Sequence, residues 1–400
     1  MQGNGMNRRQ LLKLMGFSGA VVAVSGCGGA FGGGSAGGEG SVKVGLLIPQ
    51  SGVYSPLGED MRRGWDLWLE QNGGTFGEYE VDTVVADEGE GPQTGVAAAR
   101  RLLNEERCDV IVGIVNSAVA LGIVDMVNEA QKLLLVANAG AGDITAGQVS
   151  PYIWRTSFTN AQVARAMGAH MATLDLSGGV YVVAPDYAAG EEAVDGFTAA
   201  FTDAGGTVAG QSMPPFGTTQ DYQPVLSRIR NSGAEATYSF FAGSEAVTFV
   251  QQYNEFGLAD EVPLYGSGFL TEGQVLSAQG QAAVDVRTAL HYSTELDSEA
   301  NSTFVEAYEG AYSAAPTVYA VQTYDAAAVL DQALRGADAL DGDAISEELS
   351  GLDVLASPRG EWRFDGQSPH QEMYLRTVES VDGSLVNAVT DSLGEFGQSS

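Results

Sequence analysis

Residues 42–70 read VKVGLLIPQSGVYSPLGEDMRRGWDLWLE. Residues 42–48 are an apolar, β-branched run that predicts a buried strand. The loop Pro49-Gln50-Ser51-Gly52 follows. Ser55 and Pro56 then stand where an N-cap and a first helical residue belong, with Glu59 and Asp60 in the expected first turn. Leu57, Met61, Trp65, Trp68 and Leu69 recur at helical spacing, so this helix has one apolar face. A strand, a polar loop and a helix N-terminus in that order aim backbone N–H groups at a ligand.

The same alternation continues downstream. YEVDTVVAD, CDVIVG and LLLVAN read as further strands, with helical patterns over 57–71, 93–106 and 117–131. This predicts βαβ units and a parallel sheet covered on both faces. After PYIWRTSFT (151–159) the series starts again. Val163, Met167, Met171 and Leu174 mark a helix and VYVVAP a strand; Val194, Phe197 and Phe201 mark the next helix. TVAGQSM, 222–230, ATYSFF, 247–256, VPLYG and VRTALHY (286–292) carry the pattern on. Helical patterns at 303–312, 319–334 and 344–349 then precede the strands GEWRFD and EMYLRTVESV. Two such series in a chain of 400 residues predict two doubly wound α/β lobes.

The N-terminus reads as an address. Arg8-Arg9 precede an apolar run over 14–24 that is too short to span a bilayer, and Val24-Ser25-Gly26-Cys27 resembles a lipobox. Residues 1–27 are therefore expected to be a twin-arginine lipoprotein signal peptide, with Cys27 lipidated and anchoring the chain to the outer face of the cytoplasmic membrane. Residues 28–41, rich in glycine, form a flexible tether. The remaining cysteine, Cys108, has no partner for a disulfide and is expected to be inert packing.

Without residues 1–27, which carry three bases and no acid, 51 acidic side chains face 16 basic ones, a net charge of −35. That balance repels nucleic acid and argues against DNA or RNA as partner. It also strains the folded state by self-repulsion until salt at about 1 M shortens the Debye length to about 3 Å. The composition resembles that of an extreme halophile's protein.

Taken in order, KVGLLIPQSGVYSPLGEDMRRG, QTGVAAARRLLNEERCDVIVGIVNSAVALGI, SPYIWRTSFTNAQ, VAPDYAAG, FTDAGGTVAG, GTTQDYQPVLSRI and SPRGEWRFDG resemble the solute-binding proteins of the branched-chain amino-acid transport family. The resemblance covers about 360 residues. It implies two doubly wound α/β lobes (periplasmic binding protein type I) joined by a three-strand hinge, with crossings near 156–160, 288–293 and 360–367. Lobe 1 would be 42–157 plus 293–362, and lobe 2 would be 158–292 plus 363–400. Such a clamp closes on a small solute and presents it to the membrane permease and ATPase subunits of an ABC importer, acting as a monomer without a cofactor.

The resemblance also assigns candidate contacts. Ser117, with Asn116 before it, matches the serine that holds a ligand carboxylate. In the loop Ala137-Asn138-Ala139-Gly140-Ala141, Ala139 and Gly140 take the backbone role, while Ala141 replaces a threonine common in the amino-acid binders. In APDYAAGEE, Ala189 stands at the place of an aromatic, and Tyr187 either substitutes or packs. Gly268 stands near the acid that receives an ammonium group; Glu272, four residues on, is expected at a solvated surface. Phe241 and Ser244 follow the strand ATYSFF as cleft candidates, Phe241 being equally a candidate for the core. Tyr292 lies at a hinge crossing and Tyr54 on the opening loop, while Leu57 replaces an aromatic that relatives often place over the ligand. The family implies a branched-chain amino acid; these residues point to another carboxylate or an amide.

Rival readings carry less. No G-x-S-x-G, Walker A or G-x-G-x-x-G falls in a strand–turn–helix context, and His170, His291 and His370 show no metal spacing, so no catalytic residue and no metal is assigned. A binding partner for a chemosensory transducer would use the same clamp. Asn301-Ser302-Thr303 is a glycosylation sequon.

Overall fold

The computed structural model describes residues 40–398 apart from 53 and 147–149. The expected signal peptide, Cys27 and the tether up to residue 39 lie outside the described residues. The first series comprises β1 (Ser41–Ile48), α1 (Ser55–Gln71), β2 (Thr75–Phe76), β3 (Tyr79–Asp87), α2 (Pro92–Asn104), β4 (Val110–Gly113), α3 (Ser117–Ala130), β5 (Leu133–Val136) and β6 (Ile153–Arg155). The second comprises α4 (Asn160–Met171), β7 (Val180–Val183), α5 (Ala188–Asp203), β8 (Val208–Ser212), α6 (Gln223–Ser232), β9 (Ala236–Ser239), α7 (Gly243–Glu255), β10 (Leu264–Ser267), α8 (Gln274–Gln279) and β11 (Arg287–Leu290). Helices α9 (Glu299–Tyr312), α10 (Val318–Gly336) and α11 (Gly342–Gly351) follow, then β12 (Trp362–Asp365), β13 (Ser368–Val381) and β14 (Ser384–Phe396).

One sheet has the order β2-β3-β1-β4-β5-β6, and the other β12-β13-β11-β10-β9-β7-β8 with β14 on β13. Within each, the parallel part (β3-β1-β4-β5-β6 and β8-β7-β9-β10-β11) has the doubly wound order 2-1-3-4-5. Every residue of β4 and β5 is buried, as expected of parallel strands covered by helices on both faces. Helix α10 returns to the first lobe and packs so closely on α1 that a Cβ on Gly64 would meet the Ala320 carbonyl oxygen at 2.0 Å.

The helix over 55–71 starts one residue earlier than its sequence signals suggest. Tyr54 is the N-cap, its carbonyl receiving the Leu57 and Gly58 N–H groups, so Glu59 falls beyond the first turn. Three elements lack a sequence signal strong enough to announce them: the two-residue β2, α8, and β14, whose residues are mostly half-exposed.

The segments 156–159, 291–298 and 352–361, which stand as the crossings of this fold, join β6 to α4, β11 to α9 and α11 to β12. The third of these segments is bound to the first, and β13 is bound to the first and the second. Arg359 donates to the carbonyls of Thr156 (2.7 Å) and Ser157 (3.1 Å) and pairs at 3.0 Å with Asp325, both buried. Arg376 donates to the Tyr292 carbonyl at 2.8 Å, and the Gln371 amide to the Ser157 carbonyl at 2.8 Å.

Asn301 lies in this region and is 1 % exposed. Its amide nitrogen donates to the carbonyls of Thr294 (2.9 Å) and Leu296 (3.0 Å). The sequon is thus corrected: a buried amide already bonded to the backbone has no room for a glycan.

Candidate functional site

The cleft is walled by the carboxyl ends of parallel strands, where doubly wound folds hold ligands. Tyr54 and Leu57 follow β1; Val115, Asn116 and Ser117 follow β4; Asn138 and Gly140 follow β5. Phe158 comes from the first crossing, and Asn160 opens α4. From the second lobe, Tyr187 and Ala189 follow β7, Phe240 and Ala242 follow β9, and Phe269 follows β10; Tyr319 enters from the first turn of α10. Together they enclose about 450 Å³, part of it open to solvent.

One pole of this chamber lies at the start of α3, beside the loop after β5. Ile114 adopts φ +71°, unusual for a β-branched residue, and is held there by bonds of 2.8 Å from its N–H to Leu47 and from Ala139 N–H to its carbonyl. That turn brings 115–117 to the cleft at the start of α3. The Asn116 side chain caps the Ala118 N–H at 2.9 Å. Ser117 Oγ accepts the Ala141 N–H at 3.1 Å, which leaves the hydroxyl proton free to donate. Among the described residues neither that proton, nor the Ser117 N–H, nor the Gly140 N–H has an acceptor. Three unengaged donors thus belong to residues that line the chamber, two of them on the first residue of α3, a setting that favours a carboxylate.

Glu88 lies just behind, fully buried, accepting the N–H groups of Val115 (2.9 Å) and Asn116. Burial lifts its carboxyl to about 8, so it is mainly protonated at neutral pH and adds little repulsion to an incoming anion.

The rest of the chamber is aromatic. Phe158 and Phe269 meet at 4.6 Å between ring centroids, Phe269 and Tyr319 at 6.2 Å, and Phe240 and Phe269 edge-on at 6.5 Å. Phe216 stacks on Tyr187 at 4.2 Å and lies 6.5 Å from Tyr54, backing that wall. Burial raises the Tyr54 and Tyr187 hydroxyls above the ordinary tyrosine range. Of the fifteen lining residues six are aromatic and none carries a formal charge, which suits a flat apolar body.

Among the described residues that line the chamber, none is a carboxylate that could receive an ammonium group. A Cβ on Gly268 would meet Leu290 at 2.4 Å and Arg376 Nη2 at 2.7 Å, and the Gly268 carbonyl accepts from Arg376 at 2.9 Å. Glu272 is buried rather than solvated as expected: it pairs with Arg376 at 2.8 Å and accepts the Val318 N–H that opens α10, also at 2.8 Å. Its charge is spent on a guanidinium and a helix N-terminus, and it lines an adjoining cavity beyond Leu57 and Tyr319.

Of the sequence candidates, Tyr54, Leu57, Asn116, Ser117, Gly140, Tyr187 and Ala189 come together around the chamber. The others do not reach it. Ala139 and Ala141 lie behind Gly140, with their carbonyls turned onto Arg155. Phe241 points the other way from Phe240, into the second lobe's core against Phe249 at 4.5 Å. Ser244 borders the adjoining cavity, Gly268 is blocked by Arg376, and Tyr292 is buried at 1 % exposure. Val115, Asn138, Phe158, Asn160, Phe240, Ala242, Phe269 and Tyr319 had no sequence signal of their own beyond adjacency to strand ends.

Residues 41–384 match the model of the periplasmic binding protein family. The chain is 31 % identical over 352 residues to the Leu/Ile/Val-binding protein homolog 6 of Brucella melitensis, spanning 85 % of this chain and 88 % of that one. Among solved structures, it is similar to an ABC-transporter solute-binding protein of R. palustris in complex with benzoate (36 % identity, TM-score 0.81, 89 % of this chain and 97 % of that chain). A second R. palustris solute-binding protein, in complex with 4-hydroxybenzoate, is 28 % identical with a TM-score of 0.84 over 89 % of this chain and 97 % of that one.

Proposed function

Because the chain belongs to the periplasmic binding protein family, whose members similar to it are solute-binding proteins and not enzymes, we propose that it captures a small aromatic carboxylate of the benzoate class for an ABC importer. The observation that carries this reading is the pairing of three free donors, from Ser117 and Gly140, with an uncharged aromatic chamber. The donors suit a carboxylate and the rings suit a planar body. An α-ammonium group would enter this chamber without a carboxylate to meet it, at a cost of several kcal/mol for an unpaired buried charge.

The family reading further supports export and delivery to a permease and its ATPase. Arg8-Arg9 and Cys27 support twin-arginine export and lipid anchoring, and the net charge of −32 supports adaptation to molar salt. No helix among the described residues is long and apolar enough to cross a membrane. In this reading 42–157 with 293–362 form one lobe and 158–292 with 363–400 the other.

Thermal melting of the mature chain in molar KCl tests the ligand class. Benzoate and 4-hydroxybenzoate are expected to raise the melting temperature and leucine to leave it unchanged. A shift with leucine and none with either benzoate would overturn the assignment.

A further inference from the structure

Arg155, at the end of β6, is fully buried and is not needed to explain the lining of the chamber. Each hydrogen bond of its guanidinium goes to an uncharged oxygen: the carbonyls of Ala139, Phe158 (3.0 Å) and Ala141 (2.6 Å), and the hydroxyls of Thr145 (2.9 Å) and Ser368 (3.3 Å). Glu192 is the acid that influences it, but that carboxylate is engaged with the Gly142 N–H (3.0 Å) and the Asn160 amide (2.9 Å). A buried guanidinium without a bonded carboxylate is costly unless a counter-charge arrives.

The peptide geometry shows where one would arrive. In a trans peptide the C=O and N–H point in opposite directions. With the Ala139 carbonyl turned onto Arg155, the Gly140 N–H of the same peptide points away from it, toward the chamber that Gly140 lines. The following peptides are tied down as well: the Gly140 carbonyl accepts the Asn160 N–H at 2.7 Å, and the Ala141 N–H meets Ser117. A carboxylate bound to Ser117 and Gly140 would thus lie one peptide in front of the guanidinium.

We infer that Arg155 is the buried counter-charge and positioning residue for the ligand's carboxylate, acting through the turn at 139–141 rather than by contact. This rests on the carboxylate reading above. It makes the site selective for an anion over a neutral ligand of the same shape, although no lining residue is charged.

The test compares benzoate with benzamide by calorimetric titration in molar KCl. Arg155→Met should weaken benzoate by at least about tenfold more than benzamide, and Arg155→Lys should restore part of the difference. Glu192→Gln keeps an acceptor for the Gly142 N–H but removes the competing negative charge. It should tighten benzoate severalfold and leave benzamide unchanged, and it decides the matter if Arg155→Met does not fold. A merely structural Arg155 would weaken both ligands equally, and that result, or an unmoved benzoate-to-benzamide ratio in Glu192→Gln, would overturn the inference. Failure of the carboxylate reading is seen separately: the unaltered protein would then bind no benzoate, and this inference would fall with it.

Discussion

Ser117→Ala removes one oxygen with two tasks, and the two effects can be separated. Toward the ligand, the hydroxyl supplies a hydrogen bond to a charged acceptor, worth about 1.5–3 kcal/mol. At about 1.4 kcal/mol per factor of ten, benzoate should bind about 10- to 150-fold more weakly. Toward the protein, the same oxygen accepts the Ala141 N–H at 3.1 Å in a buried setting. Its removal orphans that N–H and should cost about 1–3 kcal/mol of stability, a loss that a domain stable by about 5–15 kcal/mol survives. Calorimetric titration with benzoate reads the first effect, and the urea midpoint without ligand reads the second. Ser117→Thr keeps the hydroxyl and should recover much of both. Unchanged benzoate affinity in a folded Ser117→Ala protein would refute the anion pole as described.

Three further outcomes are expected. Gly140→Ala places a Cβ 2.3 Å from Asn160 Oδ1 and 2.6 Å from the Phe158 ring; benzoate titrations should show at least about a tenfold loss while circular dichroism stays native. Glu88 holds its proton in the fold up to about pH 8, whereas the unfolded chain releases it near 4.5. Its contribution to stability is therefore full below pH 4.5 and lost as pH rises through 8, and Glu88→Gln should flatten that slope in urea midpoints measured between about pH 5 and pH 9. Finally, dialysis of the mature chain into dilute buffer should abolish its native circular dichroism spectrum, because repulsion among the acids is then unscreened; an unchanged spectrum would remove the case for salt adaptation.

The alternation of strands and helices could be read from the sequence because apolar periodicity is a local property, recorded within each dozen residues. VIVG and LLLV have no polar face to show, and they became fully buried parallel strands. Ser117 was supplied by the family resemblance, whereas the local reading showed only a helix start after a strand. The local reading overlooked β14, whose mostly half-exposed residues carry no clear period.

What the tertiary structure alone decided is which side chains share one space. Phe240 and Phe241 are neighbours in sequence and chemically identical, yet one lines the chamber and the other fills the second lobe's core, because side chains at the end of a strand alternate faces. Phe158, Phe269 and Tyr319 meet only because the first crossing, the second lobe and the returning helix α10 converge on one cleft. Glu272 reads as a surface acid until Arg376, more than a hundred residues away, is brought to within 2.8 Å of it. The strand–loop–helix of 42–70 thus determined the architecture and the place of the cleft. The chemistry of the cleft depended on contacts between segments distant in sequence, which no local pattern encodes.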